Sequence, residues 1–281
     1  MKTDIPLIIS TPRSGSTFLA NSFDLDFKVN YYEWLSPFSY NECRKKGDAD
    51  DKNEYLDYCA KITSGQSPGF GMKLTPHLFD PIWSDYRLSY QSSCISKSLK
   101  VNPIAIFTLR YDVFGAAYSI WKALKGMRPW HTGFSHSPLV YEEQMHYTYY
   151  EVLLNYIEEE ISLISYCFKS REDIKILFYE DLISTQHEFL AKAYGFCDKP
   201  VDIQHIIQSN PSKRLESTLD GRSDVNQMLG DLSESENEFV FEALRNRAHI
   251  YRTHRILSGE PSWLNMTTEA IPALKTFTLA L

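Results

Sequence analysis

No stretch of this chain approaches the roughly 20 consecutive apolar residues that a membrane-spanning helix needs. The apolar run Ile5 to Ile9 is short, follows Asp4 and has no small-residue cleavage pattern after it, so it is not read as a secretory signal. Cysteine is sparse. Cys43, Cys59, Cys94, Cys167 and Cys197 are odd in number, widely scattered and never spaced C-x-x-C. Reduced thiols in a cytoplasm are the expectation, and the sequence offers no metal-ligand cluster. Basic charge is also short, with 29 Lys and Arg against 36 Asp and Glu, a formal net charge of −7. That balance disfavours nucleic acid or an anionic membrane as the main partner. Internal repeats, low-complexity linkers and a clear boundary for a second domain are all missing. The Asn265-Met266-Thr267 sequon has no meaning without secretion.

What is present is a globular composition. The 281 residues are 43% apolar and 14% aromatic, enough to bury a sizeable core. One domain over residues 1–281 is expected, with a core over about 5–225 and a C-terminal helix and tail over 226–281.

The chain is organised around Leu7-Ile8-Ile9-Ser10-Thr11-Pro12-Arg13-Ser14-Gly15-Ser16-Thr17-Phe18-Leu19. An apolar run of the buried-strand kind breaks at Pro12 and Gly15, then resumes as a helix carrying Phe18, Leu19 and Phe23. Strand, tight loop and helix N-terminus make a cradle for phosphate, because loop and first-turn N–H groups face the anion. The ordinary phosphate loop reads G-x-x-x-x-G-K-[ST]. Here Ser10 stands at the first glycine and Ser16 at the lysine, while Arg13 puts a fixed cation inside the loop. That argues against an ATPase or GTPase. A polar turn without a ligand is the plain alternative.

A second signal is Ile104-Ala105-Ile106-Phe107-Thr108-Leu109-Arg110, followed by Asp112 and a helix from about Phe114 to Trp121. A buried strand ends in arginine, and Ser119 follows nine residues later. About two and a half helical turns return that serine toward the strand's end. The planar arginine fork suits phosphate, and serine adds a hydroxyl donor. The alternative is an arginine salt-bridged at a strand terminus.

T-P-R-S-G-S-T-F-L resembles the 5′-phosphosulfate loop of sulfotransferases that use 3′-phosphoadenosine-5′-phosphosulfate (PAPS). The arginine form before Gly-Ser-Thr is most similar to the bacterial branch typified by trehalose 2-sulfotransferase. The resemblance spans roughly residues 5–225, and the R-x-D spacing with serine nine residues on is similar to the same branch. It implies that Pro12, Arg13, Ser14, Gly15, Ser16 and Thr17 hold the phosphosulfate, and that Arg110 and Ser119 bind the 3′-phosphate. A looser match at 213–222 makes Arg214 a nucleotide contact. Tyr179-Glu180-Asp181-Leu182 resembles a family motif that is largely structural.

Lys28 to Phe38 is aromatic-rich with Glu33 at its centre. Partial desolvation by Tyr31, Tyr32, Trp34 and Phe38 would raise its pKa toward the general-base range, although most glutamates are simply solvated. In the resembled branch a P-x-E-x-F-like segment carries the proposed base. Glu33 matches that position, with Tyr31 where proline is expected. Phe70 to Thr75 reads as a strand whose G-x-K-L core resembles the same branch; Lys73 either points at the phosphosulfate or solvates a strand end. The loop with Trp130, His131 and His136 is expected to border the acceptor, so Tyr32, Trp34, Lys73, Trp130 and His131 are candidate substrate contacts. Gly65-Gln66-Ser67-Pro68-Gly69 matches a nucleophile elbow in form only, since Pro68 lacks the N–H that an oxyanion hole needs.

Further helices are expected near Tyr55–Ile62, Asp80–Ser96, Pro138–Phe168, Thr185–Tyr194 and Ser233–Leu257, with Glu158-Glu159-Glu160 on a solvated side. Ile174–Tyr179 reads as another strand, and Val201–Ile207 as a short segment. The expected fold class is α/β, a three-layer α/β/α arrangement with a mostly parallel central sheet and a phosphate-binding loop after the first strand. The expected activity is sulfuryl transfer from PAPS to a hydroxyl or amine of a small-molecule acceptor, with Glu33 and Arg13 catalytic and no metal. A carbohydrate or glycolipid acceptor follows from the resemblance. A cationic natural product such as a guanidinium alkaloid fits the acidic, aromatic-rich composition. A nucleotide kinase or NTPase, and a non-catalytic nucleotide-binding protein, are the rivals. A homodimer is left open, as the resembled branch often forms one.

Overall fold

The computed structural model describes residues 5–28, 30–33, 46–47, 54–55, 58, 70–74, 95–96, 98–100, 102–125, 146–210 and 221–257. The chain divides into two compact units, one of residues 1–109 with 166–213 and one of 110–165 with 214–281.

The first unit is built on five parallel strands, β1 (Leu7–Ser10), β2 (Asn30–Glu33), β3 (Phe70–Leu74), β4 (Ala105–Leu109) and β5 (Lys175–Phe178), in the spatial order β2-β3-β1-β4-β5. The fold is therefore α/β. Leu7, Ile8 and Ile9 are fully buried, as are Ile106, Phe107 and Leu109. Continuous apolar strands are what a parallel sheet covered on both faces demands, and each such side chain contributes about 1.5–3 kcal/mol on burial. The turn into β4 is closed by Arg171, whose guanidinium donates to the carbonyls of Leu99 (3.1 Å), Asn102 and Pro103.

From β1 the chain runs through α1 (Ser16–Phe27) to β2 on one side of the sheet, whereas the chain leaving β4 returns as β5 on the other. The connections diverge between β1 and β4, and ligands of open α/β sheets bind outside the carboxyl ends of strands at such a point. Helix α1 is anchored by its apolar face and by buried polar groups. Phe18 and Phe23 meet Phe189 and Tyr194 edge-on, at 6.4 and 5.1 Å between ring centroids. Asn210 Nδ2, fully buried, donates to Phe18 O (2.9 Å) and Ser22 Oγ (2.7 Å), and Tyr194 Oη donates to Ser22 O (2.9 Å). Every one of these acceptors lies past the first two residues of α1, leaving its N-terminus to other partners.

The second unit carries α2 (Val113–Leu124), most of α3 (Tyr149–Ser170), α7 (Arg222–Gly230) and α8 (Glu234–Thr253). The first unit contains α4 (Tyr179–Ser184), α5 (Gln186–Gly195) and α6 (Ile203–Ser209). Helix α3 starts at Tyr149, later than the expected Pro138, and residues 146–148 are not in it. Thr148 stops it: Glu151 N donates to Thr148 Oγ1 (3.2 Å) and Thr148 N donates to Glu151 Oε2 (2.7 Å), a reciprocal cap that apolar periodicity does not register. Ser233 and Glu236 form the same box at the start of α8. Helices α4 and α7 were not expected. Most of the expected helices over Asp80–Ser96 and Tyr55–Ile62, the Gly65–Gly69 turn and the tail after Gly259 lie outside the described residues. Among the described residues no helix is long and apolar enough to cross a membrane.

Candidate functional site

The residues between β1 and α1 form the turn that the sequence predicts. Arg13 (φ 64°) and Gly15 (φ 80°) both take left-handed backbone conformations. For arginine this is uncommon, and such residues persist only where the surroundings over-determine them. Two left-handed residues bracket Ser14, and turns of this kind can form the concave rows of N–H groups that receive anions. Gly15 caps α1 without any side-chain hydrogen bond, and the first intrahelical bond runs from Leu19 N to Gly15 O (3.2 Å). The N–H groups of Ser16, Thr17 and Phe18 therefore precede the helical ladder at the positive end of the macrodipole.

Hydrogen bonds to β4 hold this loop. Ser14 Oγ, fully buried, donates to Thr11 O (2.7 Å) and lies 2.8 Å from Thr108 Oγ1, while Thr11 N donates to Thr108 O (3.3 Å). From the other side, Gly15 rests on α4. A Cβ there would sit 2.7 Å from Leu182 Cδ2 and 3.2 Å from Tyr179 Cδ2. Tyr179 and Leu182 of this segment thus pack against the loop at Gly15.

Lys73 comes to the same place from β3. It is 5% exposed, and its Nζ donates to Thr17 Oγ1 in the first turn of α1 at 3.1 Å. A strand neighbour thereby places an ammonium where the loop itself has no lysine. Of the two expectations for Lys73, the solvated strand end is wrong: a buried ammonium is retained where partners or a bound anion offset its desolvation. Glu33 ends the edge strand β2 with its Cα in register with Lys73; Tyr32 precedes it in that strand. Trp34, Trp130, His131 and Arg214 lie outside the described residues.

In the second unit, Arg110 precedes α2 and its guanidinium lies against Gly115 in the first turn of that helix, while Ser119 is within the helix. Asp112 caps the helix, accepting from Gly115 N at 2.9 Å through Oδ1, and its Oδ2 lies 3.5 Å from Arg110 Nη2. A Cβ on Gly115 would come within 2.5 Å of Arg110 Nη2 and closer still to Asp112 Oδ2. Only hydrogen fits there. Ser119 lies one turn beyond Gly115 on the same face. Arg110 and Ser119 are each 4% exposed. The salt-bridged strand terminus foreseen as an alternative is present. Burial pushes the Asp112 carboxyl above its ordinary 3.8, against the opposing pull of Arg110, the Gly115 N–H and Arg247.

Glu160 corrects an expectation. It is fully buried, not on a solvated side, because Arg247 of α8 meets it at 2.5 Å in the core of the second unit. Opposite charges about ninety residues apart cannot be paired from periodicity. The described thiols offer no nucleophile: burial pushes Cys167 well up and Cys197 up to about 12, so neither ionises near neutrality. Among the described residues no three His, Cys, Asp or Glu side chains gather as a metal site. No protein-family model matches the chain, and no curated protein sequence matches it.

Two outcomes follow from this geometry. Gly15→Ala should lower unfolding stability by about 1–3 kcal/mol, from the left-handed backbone and the contact with Leu182, read as a shift in urea midpoint. Asp112→Asn keeps the helix cap but removes the titration. Because the folded pKa lies above 3.8, the native state holds this proton more tightly than the unfolded chain. The group's contribution to stability is thus present at low pH and declines as pH rises from 3.8 through the raised value. Denaturation across about pH 4 to 7 should show wild type losing stability relative to Asp112→Asn. A gap independent of pH would contradict the assignment.

Proposed function

We propose that the protein is a PAPS-dependent sulfotransferase built on a three-layer α/β/α phosphate-loop fold. The observation that carries this reading is the β1–α1 loop, with left-handed Arg13 and Gly15, an uncapped helix N-terminus and Lys73 Nζ 3.1 Å from Thr17 Oγ1. Two cations and a row of N–H groups around one turn suit a ligand more highly charged than a carboxylate. In this reading Pro12 to Thr17 cradle the 5′-phosphosulfate, while Arg110 and Ser119 bind the 3′-phosphate and Arg214 contacts the nucleotide.

The acceptor hydroxyl or amine attacks the sulfuryl sulfur in line. Glu33 takes the acceptor's proton, the S–O bond to the bridging phosphate oxygen breaks, and 3′-phosphoadenosine-5′-phosphate leaves with the bonding pair. Arg13 and the loop N–H groups stabilise charge growing on that oxygen, and Lys73 adds to the field. Positioning and electrostatics supply most of the acceleration, as in phosphoryl transfer. The acceptor is a small molecule. The net charge of −7 favours a cationic one, such as a guanidinium natural product, held also by Tyr32, Trp34, Trp130 and His131. A carbohydrate or glycolipid is the alternative. The cytoplasm is the proposed compartment, and a homodimer is compatible with it.

One observation favours a second reading. Lys73 brings an ammonium to the first turn of α1, which restores in part the cation whose absence from the loop argued against a nucleotide kinase or NTPase. Calorimetry separates the two. 3′-Phosphoadenosine-5′-phosphate should bind without magnesium and more tightly than ATP–Mg²⁺; the opposite order would replace the sulfotransferase with the kinase. Removing one preorganised donor lowers turnover by about 100- to 1,000-fold, and Arg13→Ala should do so in a sulfate-transfer assay read by mass spectrometry. Glu33→Gln should leave nucleotide binding intact while turnover falls about 100-fold or more. Transfer at the parental rate would remove Glu33 from the role of base.

A further inference from the structure

The second unit contains a buried ionic cluster that the proposed chemistry does not use. Arg247 on α8 and Glu160 on α3 are both fully buried and paired at 2.5 Å, and Tyr251 Oη donates to the same Glu160 Oε1 at 2.7 Å. Arg247 Nη2 also donates to Tyr251 Oη at 2.6 Å, and its guanidinium lies 4.4 Å from the Tyr251 ring centroid and 5.6 Å from that of Tyr111. A buried ion pair is weak grounds for stability, since apolar residues of similar volume often serve as well or better. Its other hydrogen bonds indicate what it does.

The remaining N–H groups of Arg247 fork onto two consecutive backbone carbonyls, Nη1 to Tyr111 O at 3.2 Å and Nη2 to Arg110 O at 3.1 Å. These carbonyls belong to the residues just past the end of β4, where buried acceptors require donors; Tyr111 O also accepts from Val113 N at 2.9 Å. The next residue, Asp112, is held by Gly115 N at 2.9 Å. Residues 110–112 are thus fixed at three successive points, and the root of the Arg110 side chain is set by a helix 137 positions further along the chain. Lysine could not reproduce this, because one ammonium does not present a planar fork to two carbonyls and a carboxylate together.

We infer that Arg247, oriented by Glu160 and Tyr251, is a positioning residue for Arg110, and that the preference for a 3′-phosphorylated nucleotide depends on this cluster. The inference rests on the assignment of Arg110 to the 3′-phosphate made above. Arg247 touches no ligand in this scheme. It fixes the peptide from which the Arg110 guanidinium is aimed, and small displacements of a positioning group are expensive in binding and catalysis.

The test compares 3′-phosphoadenosine-5′-phosphate with adenosine-5′-phosphate by calorimetry, because only the first engages Arg110. The double variant Arg247→Met/Glu160→Leu removes both charges together and leaves no orphaned ion in the core. Arg247→Lys keeps the ion pair with Glu160 and loses the fork, so it serves if the double variant does not fold. For whichever variant melts cooperatively, affinity for the 3′-phosphorylated nucleotide should fall about tenfold or more, with affinity for adenosine-5′-phosphate within about twofold of wild type. Arg110→Ala should abolish the preference. If wild type prefers the 3′-phosphate, Arg110→Ala removes that preference and the Arg247 variant retains it, the inference is overturned while the functional reading stands. Equal loss of both nucleotides would show a merely structural role and would also overturn it. A wild type with no preference overturns the assignment of Arg110 and this inference together.

Discussion

Ser14 is the point on which the candidate site turns. Its hydroxyl lies between Thr11 O at 2.7 Å and Thr108 Oγ1 at 2.8 Å, so one buried oxygen ties the loop to itself and to the adjacent strand. A loop stitched in this way is held in one conformation by its own hydrogen bonds. The left-handed Arg13 and Gly15 are affordable because Ser14, β4 and α4 hold them from three sides.

Both candidate anion-binding elements use one physical device. A helix begins at the carboxyl end of a parallel strand, a glycine near its start leaves out a Cβ that neighbouring side chains would meet, and an arginine stands beside it. At α1 the glycine is Gly15 and the arginine Arg13; at α2 they are Gly115 and Arg110. The two differ in how the cap is made. Helix α1 has no side-chain cap, whereas Asp112 caps α2 and also balances Arg110. An arginine that already faces a carboxylate is steered in direction at the expense of some of its charge. Lys73, reaching Thr17 from β3, brings an ammonium to the first turn of α1 from a neighbouring strand.

Much of this was legible before any fold was known. The apolar runs at 5–9 and 104–109 read as buried strands, the Pro12 and Gly15 breaks marked the loop, and the nine-residue step from Arg110 to Ser119 was read as returning the serine toward the strand's end. Such signals are local, because strand burial, helix period and turn chemistry are written within a few residues. The start of α3 was missed through a local rule as well, the Thr148–Glu151 box, which is visible in the sequence once capping is weighed above periodicity.

Tertiary structure alone decided the rest, and the reason is distance along the chain. Glu160 looked like part of a solvated acidic run because its partner, Arg247, lies on a different helix and only folding brings the two into one dry interior. The ambiguity of Lys73 had the same cause, since nothing near residue 73 reveals that Thr17 will be its neighbour. The pairing of Ser14 with Thr108 depends on β1 and β4 being adjacent, a matter of strand order that no local pattern encodes. By itself, then, the sequence determined the elements and the kinds of group that could meet an anion. Which of those groups are buried, paired and aimed was decided by the packing, because desolvation and ion pairing act through space between residues far apart in the chain.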